Sequence, residues 1–319
     1  MQEAILDQVT IDKVLNVALM ALIIYGIIEM IYLVWYRKYE KRAEYKQTTT
    51  NFVFVIVLNL VVSALFGVVS TATLSLLGYK LSVVQMGLQW YWWIIGLIIY
   101  EFWYWIQHWL AHKVRLLWCL HSPHHAPESM NMFVGFNHSF LETMFYMPLF
   151  LGFMPAICGV NPLVILCVVV VDVSWGNLLH INDSIVTGRY GILEKFLQTP
   201  SYHRVHHAQN VRYMDTNYNS ITLFWDWVLK TLQPFDDNEP VRYGITREVK
   251  TTSFWDVQFG EFAALFKDVA KAPGVMNKVK YLVMPPGWSH TGEHRTAKNL
   301  KLALEEKISL SEPSSFKEG

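Results

Sequence analysis

The chain has 319 residues, of which 53% are hydrophobic and only 16% are charged, whereas a soluble protein carries about 25% charged residues. Lys and Arg together number 26 and so do Asp and Glu, so the formal net charge is zero and no basic field is present to attract nucleic acid. This composition excludes a disordered chain and argues against an ordinary soluble protein.

Long apolar stretches predict several membrane segments. Residues 14–36, 52–78 and 90–107 are each long and apolar enough to cross a hydrocarbon core, which takes about 20 residues. A shorter pair, 144–158 and 162–179, is joined by Gly-Val-Asn-Pro. Its first member is short for a full span, so the pair is predicted as a hairpin that crosses the bilayer or only dips into it. The first span is too long, and its N-terminal flank too acidic, for a cleavable signal peptide.

The distribution of basic residues predicts the orientation. The stretch RKYEKRAEYK after the first span holds five basic residues, while the loop at 79–89 holds one. The positive-inside rule places residues 37–50 in the cytoplasm. Counting spans from there, the end of the third span and everything after residue 180 lie on the cytoplasmic face.

The three cysteines, Cys119, Cys158 and Cys167, are too few for a disulfide framework. We expect all three to be buried thiols in a reducing or lipid environment.

Histidine is concentrated in three short windows. Eight of the 12 histidines have HxxxH, HxxHH and HxxHH spacing: His108, His112, His121, His124, His125, His203, His206 and His207. Positions i, i+3 and i+4 share one face of a helix, so the members of a window point the same way. Thr199-Pro200 predicts a helix start before the third window. Ser122-Pro123 predicts a similar start inside the second, which would leave His121 just outside its helix.

Eight imidazoles on one membrane face indicate a metal centre. Neutral imidazole is a common ligand for iron, zinc and copper, and one ion takes about four to six ligands, so two adjacent ions are the natural interpretation. None of the windows contains Asp or Glu, whereas hydrolytic two-metal sites usually carry bridging carboxylates. A histidine-rich centre of this kind favours redox iron that handles dioxygen.

The ordered motifs resemble the fatty acid hydroxylase / sterol desaturase superfamily of integral-membrane di-iron oxygenases. The blocks WCLHSPHHAPESMN (118–131) and TPSYHRVHHAQNVRYMDTNYNSITLFWDWV (199–228) resemble its alkylglycerol monooxygenase branch, as do VRYGIT (241–246) and PGW (286–288). The resemblance covers about residues 95–290.

The resemblance implies that the eight histidines are metal ligands. The family usually adds one ligand after the membrane hairpin, which makes His180 the expected ninth; His138 is the other candidate, as a ligand or as a hydrogen-bond partner of one. No catalytic residue beyond the metal centre is expected. Residues expected to support the ligands through hydrogen bonds are Glu128, Asn131, His138, Asp172, Asn177, Asp215, Asn217 and Asp226. Glu101 is singled out with Asp172 because ionisable residues inside spans are costly and usually functional. His290 and His294 are expected in solvent.

The resemblance further implies two Fe ions and hydroxylation of a C–H bond of a lipid by dioxygen. The lipid is an ether lipid, a fatty acyl chain or a sterol, and in the alkylglycerol branch hydroxylation beside the ether oxygen leads to ether cleavage. A desaturase with the same site is the alternative, since loss of a second hydrogen gives a double bond. The chain shows no nucleotide fingerprint or haem domain, so an external two-electron donor is expected: a reduced pterin, or cytochrome or ferredoxin.

The predicted fold is all-α: a multi-pass transmembrane helical core with a cytoplasmic helical cap that carries the histidine-rich di-metal site. Its parts are N-terminal transmembrane helices (1–94), the catalytic histidine region with the membrane hairpin (95–234), a cytoplasmic helical extension (235–288) and a mobile tail (289–319). The membrane would be the endoplasmic reticulum in a eukaryote and the inner membrane in a bacterium.

Two other classes of protein remain as alternatives. A zinc membrane hydrolase would need a general-base carboxylate beside the ligands, as HExxH supplies, and the windows contain none. A divalent metal transporter would place its ligands near the bilayer midplane, whereas these histidines lie at span ends and in loops.

Overall fold

The structure, a computed structural model, describes residues 20–21, 24–33 and 66–311. Regular secondary structure in this part of the chain is helical, and strand-like pairing is limited to two isolated bridges, Leu197 with Thr222 and Ala208 with Tyr243. The all-α prediction is confirmed for these residues.

Among the described residues, three apolar helices come first in the chain, and the third carries the first histidine window. They are α1 (Ile24–Leu33), α2 (Val68–Leu81) and α3 (Trp90–Lys113). Helix α3 contains the predicted third span and continues six residues beyond it, so that His108 and His112 lie in its last turns. It ends at Val114, whose backbone is extended, and α4 (Arg115–His125) begins at the next residue. This immediate reversal packs the second histidine window against the first.

The predicted hairpin is present, but its first arm is irregular. Two π-helical segments, Glu142–Tyr146 and Pro148–Phe153, lead into the short helix α5 (Met154–Ile157). The turn then passes through Gly159, whose φ of +99° suits glycine, and a side chain there would collide with the Val84 carbonyl. Helix α6 (Pro162–Leu179) follows. Asn161 caps it by accepting a hydrogen bond from the Leu163 N–H, and Pro162 occupies its first turn.

Within the described ranges, α6 alone is both long and apolar enough to cross a membrane, and α1 and α2 are shorter apolar helices. Outward-facing Val171 and Val173 on α6 are about half exposed. Residues 14–19, 22–23, 34–36 and 52–65 of the first two predicted spans, and the basic loop 37–50, lie outside the described residues. The multi-pass arrangement and its orientation therefore stay predictions.

The remaining helices cover the histidine end of α3 and α6. They are α7 (Pro200–His206), α8 (Phe224–Val228), α9 (Phe254–Lys271), α10 (Gly274–Val283) and α11 (Ala297–Ser311). Helix α9 packs on α4 through a small core that includes Cys119, Leu265 and Tyr281. Helix α11 lies inside the segment 289–319, for which the sequence predicted a mobile tail.

Two local predictions are wrong. Helix α4 does not start at Ser122-Pro123: it starts at Arg115, so His121 and Pro123 lie within it, and the Ala126 N–H closes its last turn on the Ser122 carbonyl at 2.9 Å. Of the cysteines, only Cys119 is buried. Cys158 is exposed beside the hairpin turn and Cys167 is partly exposed on α6, because an apolar helix also presents apolar residues outward.

Candidate metal centre

The structure brings the nine histidines that the sequence singled out as ligands into two adjoining groups. Helices α3 and α4 reverse onto each other, α6 ends at His180, and α7 places its window against both. One group is His108, His112, His121, His125 and His206; the other is His124, His180, His203 and His207. Every member is buried, and the potential ligand atoms of each group lie within 4.8 Å of one another. The stacked rings of His125 and His207, with centroids 4.4 Å apart, join the two groups.

The spacing of the imidazole nitrogens fits ligands that share an ion. His203 Nε2 lies 2.9 Å from His180 Nε2, and His108 Nε2 lies 3.1 Å from His121 Nε2. Nitrogens about 2.1 Å from one ion lie roughly 3.0 to 3.4 Å apart in octahedral or tetrahedral geometry. The interatomic distances therefore suit coordination.

Hydrogen bonding at the other ring nitrogen favours a cation between several of these pairs. His108 Nδ1 contacts the Tyr218 carbonyl at 2.7 Å, and His121 Nδ1 contacts a Glu142 carboxylate oxygen at 2.8 Å. Both acceptors require a proton on Nδ1, so each Nε2 carries a lone pair. Two lone pairs facing each other at 3.1 Å repel unless a positive ion lies between them.

The four-histidine group has the same arrangement of ring nitrogens. His124 Nδ1 donates to the Val134 carbonyl at 3.0 Å and His180 Nδ1 donates to the Gly176 carbonyl at 2.7 Å, while their Nε2 atoms face each other at 3.3 Å. In the five-histidine group, His206 Nδ1 donates to the Thr216 carbonyl at 2.8 Å and its Nε2 has no partner. The residues present therefore fit a metal in each group.

Burial keeps the rings neutral, which is the form that binds metal. Desolvation, followed by the neighbouring imidazoles, lowers the pKa of His112, His125 and His207 well below the usual value. Desolvation also lowers the pKa of His180 and of His206 to about 3, although each donates to a carbonyl.

The buried carboxylate of Glu142 is a supporting residue that sequence reasoning missed. Its two oxygens contact His121 Nδ1 at 2.8 Å and His138 Nδ1 at 3.0 Å. Burial alone would raise the pKa of Glu142, but the two histidines hold it below the usual value, so the carboxylate stays charged. His138 stacks on His124 with centroids 4.2 Å apart and lies outside both histidine groups. With His121 and Glu142 it forms a third group that could hold a metal, so the choice between ligand and hydrogen-bond partner stays a prediction.

Two of the selected carboxylates support the histidine groups, one by direct contact and one through the backbone. Asp215 Oδ1 is 3.5 Å from His112 Nδ1, and Asp215 also pairs with Lys113. Asp226 acts one step away: it accepts the N–H groups of Tyr218 and Asn219 at 2.8 Å each. It thereby fixes the Tyr218 carbonyl that orients His108.

The other selected residues bind elsewhere. Asp172 accepts from Tyr100 at 2.8 Å, Asn131 caps the 3-10 turn Met132–Phe136, and the Asn177 amide donates to the Val173 carbonyl. Asn217 ties the Tyr202 and Gln233 carbonyls together. Glu128 is exposed, close to Gly244.

Backbone carbonyls take the place that the sequence analysis gave to some of these side chains. A carbonyl leaves no residue-type signal in the sequence, so only the fold identifies it.

A cavity of about 360 Å³ opens onto the five-histidine group. His112, His125 and His206 form one wall, together with Trp118. The facing wall comes from segments 244–247, 285–287 and 295–300, which follow the histidine windows in the chain. In the tail, His294 is exposed as expected, while His290 is partly buried and bonds the Tyr281 hydroxyl at 2.9 Å.

Comparison with known proteins agrees with the motifs. Residues 93–231 match the family model described as fatty acid hydroxylase. Alkylglycerol monooxygenase of Xenopus tropicalis is 30% identical over 217 residues, which cover 66% of this chain and 45% of that protein. Alkylglycerol monooxygenase of Danio rerio is 32% identical over 207 residues, 63% of this chain and 43% of that protein.

The name of a bacterial relative refers to a different lipid. Ornithine lipid hydroxylase OlsE of Rhizobium tropici is 32% identical over 157 residues, 49% of this chain and 46% of that protein. The chain thus spans less than half the length of these curated relatives. No solved structure matches it significantly.

Proposed function

Because residues 93–231 belong to the fatty acid hydroxylase family, we propose that this protein is a membrane-bound lipid monooxygenase with a di-iron centre. The observation that carries the proposal is the pair of buried histidine groups, whose Nε2 atoms converge where a bound cation would relieve the repulsion of their lone pairs. The five-histidine group would hold one iron and the four-histidine group the other.

Iron bound there would supply the activation of dioxygen and the removal of hydrogen from an unactivated C–H bond. The protein's own contribution is orientation. Carbonyls of Val134, Gly176, Thr216 and Tyr218 fix four rings, and Glu142 fixes a fifth. Fixed rings keep the centre from rearranging during turnover.

We propose that the substrate is a lipid that enters from the bilayer. Helices α1, α2 and α6 present exposed apolar side chains, and His180 directly follows the last residue of α6. A multi-pass membrane position with the metal centre on the cytoplasmic face follows from the charge distribution along the sequence. The alkylglycerol monooxygenase relatives favour an ether lipid, hydroxylated beside the ether oxygen and then cleaved. Desaturation of a similar chain at the same centre is the second candidate outcome.

The electrons have to come from outside the chain, and the cavity beside His112, His125 and His206 is the place we propose for their delivery. Its walls carry Asp215, Arg247 and Gln209, and these polar side chains suit a polar ligand better than a hydrocarbon chain. A reduced pterin is the donor that the resemblance favours, and cytochrome or ferredoxin is the alternative.

The proposal is tested by oxidation of lipids under labelled dioxygen. Iron-loaded protein in liposomes is given an alkylglycerol, a fatty acyl lipid or a sterol, with one reductant at a time and ¹⁸O₂. We expect one ¹⁸O atom in an alcohol or aldehyde product from one lipid class, and none with the His203→Ala/His206→Ala variant. An unlabelled double bond would favour the desaturase. Hydrolysis that needs neither dioxygen nor reductant would overturn the oxygenase in favour of a zinc hydrolase.

A further inference from the structure

Helix α1 carries a carboxylate that reaches into the metal centre's surroundings. Glu29 lies on an otherwise apolar helix, yet its side chain is only 2% exposed. One oxygen accepts the N–H of Met132 at 2.8 Å and the other accepts the N–H of Asn182 at 2.7 Å. These partners are 103 and 153 residues away in the chain, so the carboxylate joins two distant loops.

Each of these loops supports a histidine of the four-histidine group. Met132 begins the 3-10 turn whose Val134 carbonyl accepts the Nδ1–H of His124 at 3.0 Å. Asn182 follows His180 by two residues, and its side-chain amide donates to the Met130 carbonyl at 2.6 Å. Glu29 and Asn182 therefore connect the two loops by hydrogen bonds. These bonds fix the Val134 carbonyl, which accepts from His124, relative to His180.

The close approach of α1 to the same loop supports this role. A side chain at Gly26, one turn before Glu29, would meet the Phe133 ring at 2.9 Å. Glu29 forms no ion pair in the part of the chain that the structure describes, so backbone N–H groups are what compensates its burial. A buried acid on an apolar helix is costly, and the two backbone N–H groups offset that cost by solvating both carboxylate oxygens.

We propose that Glu29 is a positioning residue for the four-histidine group, through which a helix outside the matched family segment holds one of the two metal sites in shape. The inference rests on the proposed function only in that both require metal in the histidine groups. It predicts an unequal effect: loss of Glu29 weakens one metal site and leaves the other intact.

The experiment titrates metal-free, full-length protein in detergent with Co²⁺ and follows visible absorption and bound metal. The wild type is expected to bind two ions per chain. In Glu29→Ala we expect one ion to bind as before and the other with roughly 10- to 100-fold lower affinity, the usual effect of losing a residue that supports ligands. Glu29→Gln keeps one acceptor oxygen and should lose less.

The matched control is Glu101→Gln on α3. Glu101 is also 2% exposed, and it accepts the N–H groups of Ile221 and Thr222 at 2.8 Å each. Neither residue supplies a carbonyl to a ligand histidine, so both metal affinities should stay within about threefold of wild type. Thermal unfolding of each metal-free variant shows whether it is folded.

The positioning role would be overturned if a folded Glu29→Ala variant bound both metal ions as tightly as the wild type. It would also be overturned if the Glu29 and Glu101 variants both lost affinity equally at the two metal sites. If Glu29→Ala does not fold, the same comparison is made with Glu29→Gln. Failure of the wild type to bind two ions would instead contradict the metal centre itself, and with it the proposed function.

Discussion

At the scale of single residues, the hydrogen-bond acceptor at Nδ1 decides where the proton lies on five of the nine histidines. Five rings donate Nδ1–H to a carbonyl or to Glu142, which turns each Nε2 toward the centre as an acceptor. The sequence predicted which histidines converge because helical periodicity fixes the face that each window presents. It could not predict the acceptors, because they depend on contacts between residues distant in the chain.

Glu142 offers a direct test of this orientation. Glu142→Gln leaves an amide that can accept from only one of His121 and His138, and its NH₂ group opposes the other. We expect the affinity of the five-histidine group for metal to fall about 10- to 100-fold. The measurement is a Co²⁺ titration of the metal-free protein.

The control for this variant is Glu128→Gln, at an exposed position that the sequence analysis had selected. Its metal affinity should match that of the wild type. If Glu128→Gln weakens binding and Glu142→Gln does not, the sequence-based choice of supporting carboxylate was correct and the structure-based one is wrong.

The residue that sequence reasoning overlooked without good cause is Glu29. An acid inside an apolar span is usually functional, and Glu29 in the first predicted span is such an acid just as Glu101 and Asp172 are. All three are buried, and all three bind across to another segment. The sequence therefore identifies Glu29 as an acid inside an apolar segment, but only the fold shows that its partners are the N–H groups of Met132 and Asn182.

At the scale of helices, the apolar runs predicted that a helix is present more accurately than they predicted where it begins and ends. The hairpin joint and α6 agree with the Gly-Val-Asn-Pro turn, since Gly159 supplies a positive φ and Asn161-Pro162 starts a helix. The start predicted at Ser122-Pro123 was wrong because proline is also tolerated inside α4, which had already begun at Arg115. The chain reverses direction at Val114, and the helix that starts there continues through Ser122-Pro123 despite the capping signal.

Cysteine reactivity tests how these helices are placed. Burial raises the pKa of the Cys119 thiol to about 12, so little thiolate forms at neutral pH, and the side chain is fully enclosed between α4 and α9. Cys158 is exposed. With a small membrane-permeant maleimide, followed by mass spectrometry, we expect Cys158 to react more than about tenfold faster than Cys119.

The variant Cys158→Ser should lose this fast reaction, while Cys119→Ser should keep it. Addition of denaturant should make Cys119 reactive in the wild type. Rapid labelling of Cys119 in the folded protein would show that α9 does not cover α4 as the structure has it.

At the scale of the whole molecule, the histidine centre lies where apolar helices end and a more polar set of helices begins. The candidate ligands lie in α3 and α4 and in or directly after α6 and α7, and segments that follow residue 243 line the cavity beside them. The all-α class and the convergence of the eight window histidines were predictable from composition and spacing, and His180 was expected from the family resemblance. The cavity was not, because residues 244–247 and 285–300 reach the centre only through tertiary packing.

The central claim is that each chain holds two iron ions through these histidines. The most direct test is elemental analysis of reduced, detergent-purified protein beside the His203→Ala/His206→Ala variant, which removes one ring from each group. About two irons per chain in the wild type, lost in the variant, are expected for two such sites. Stoichiometric zinc that persists under iron-replete expression, with no uptake of dioxygen, would contradict the claim.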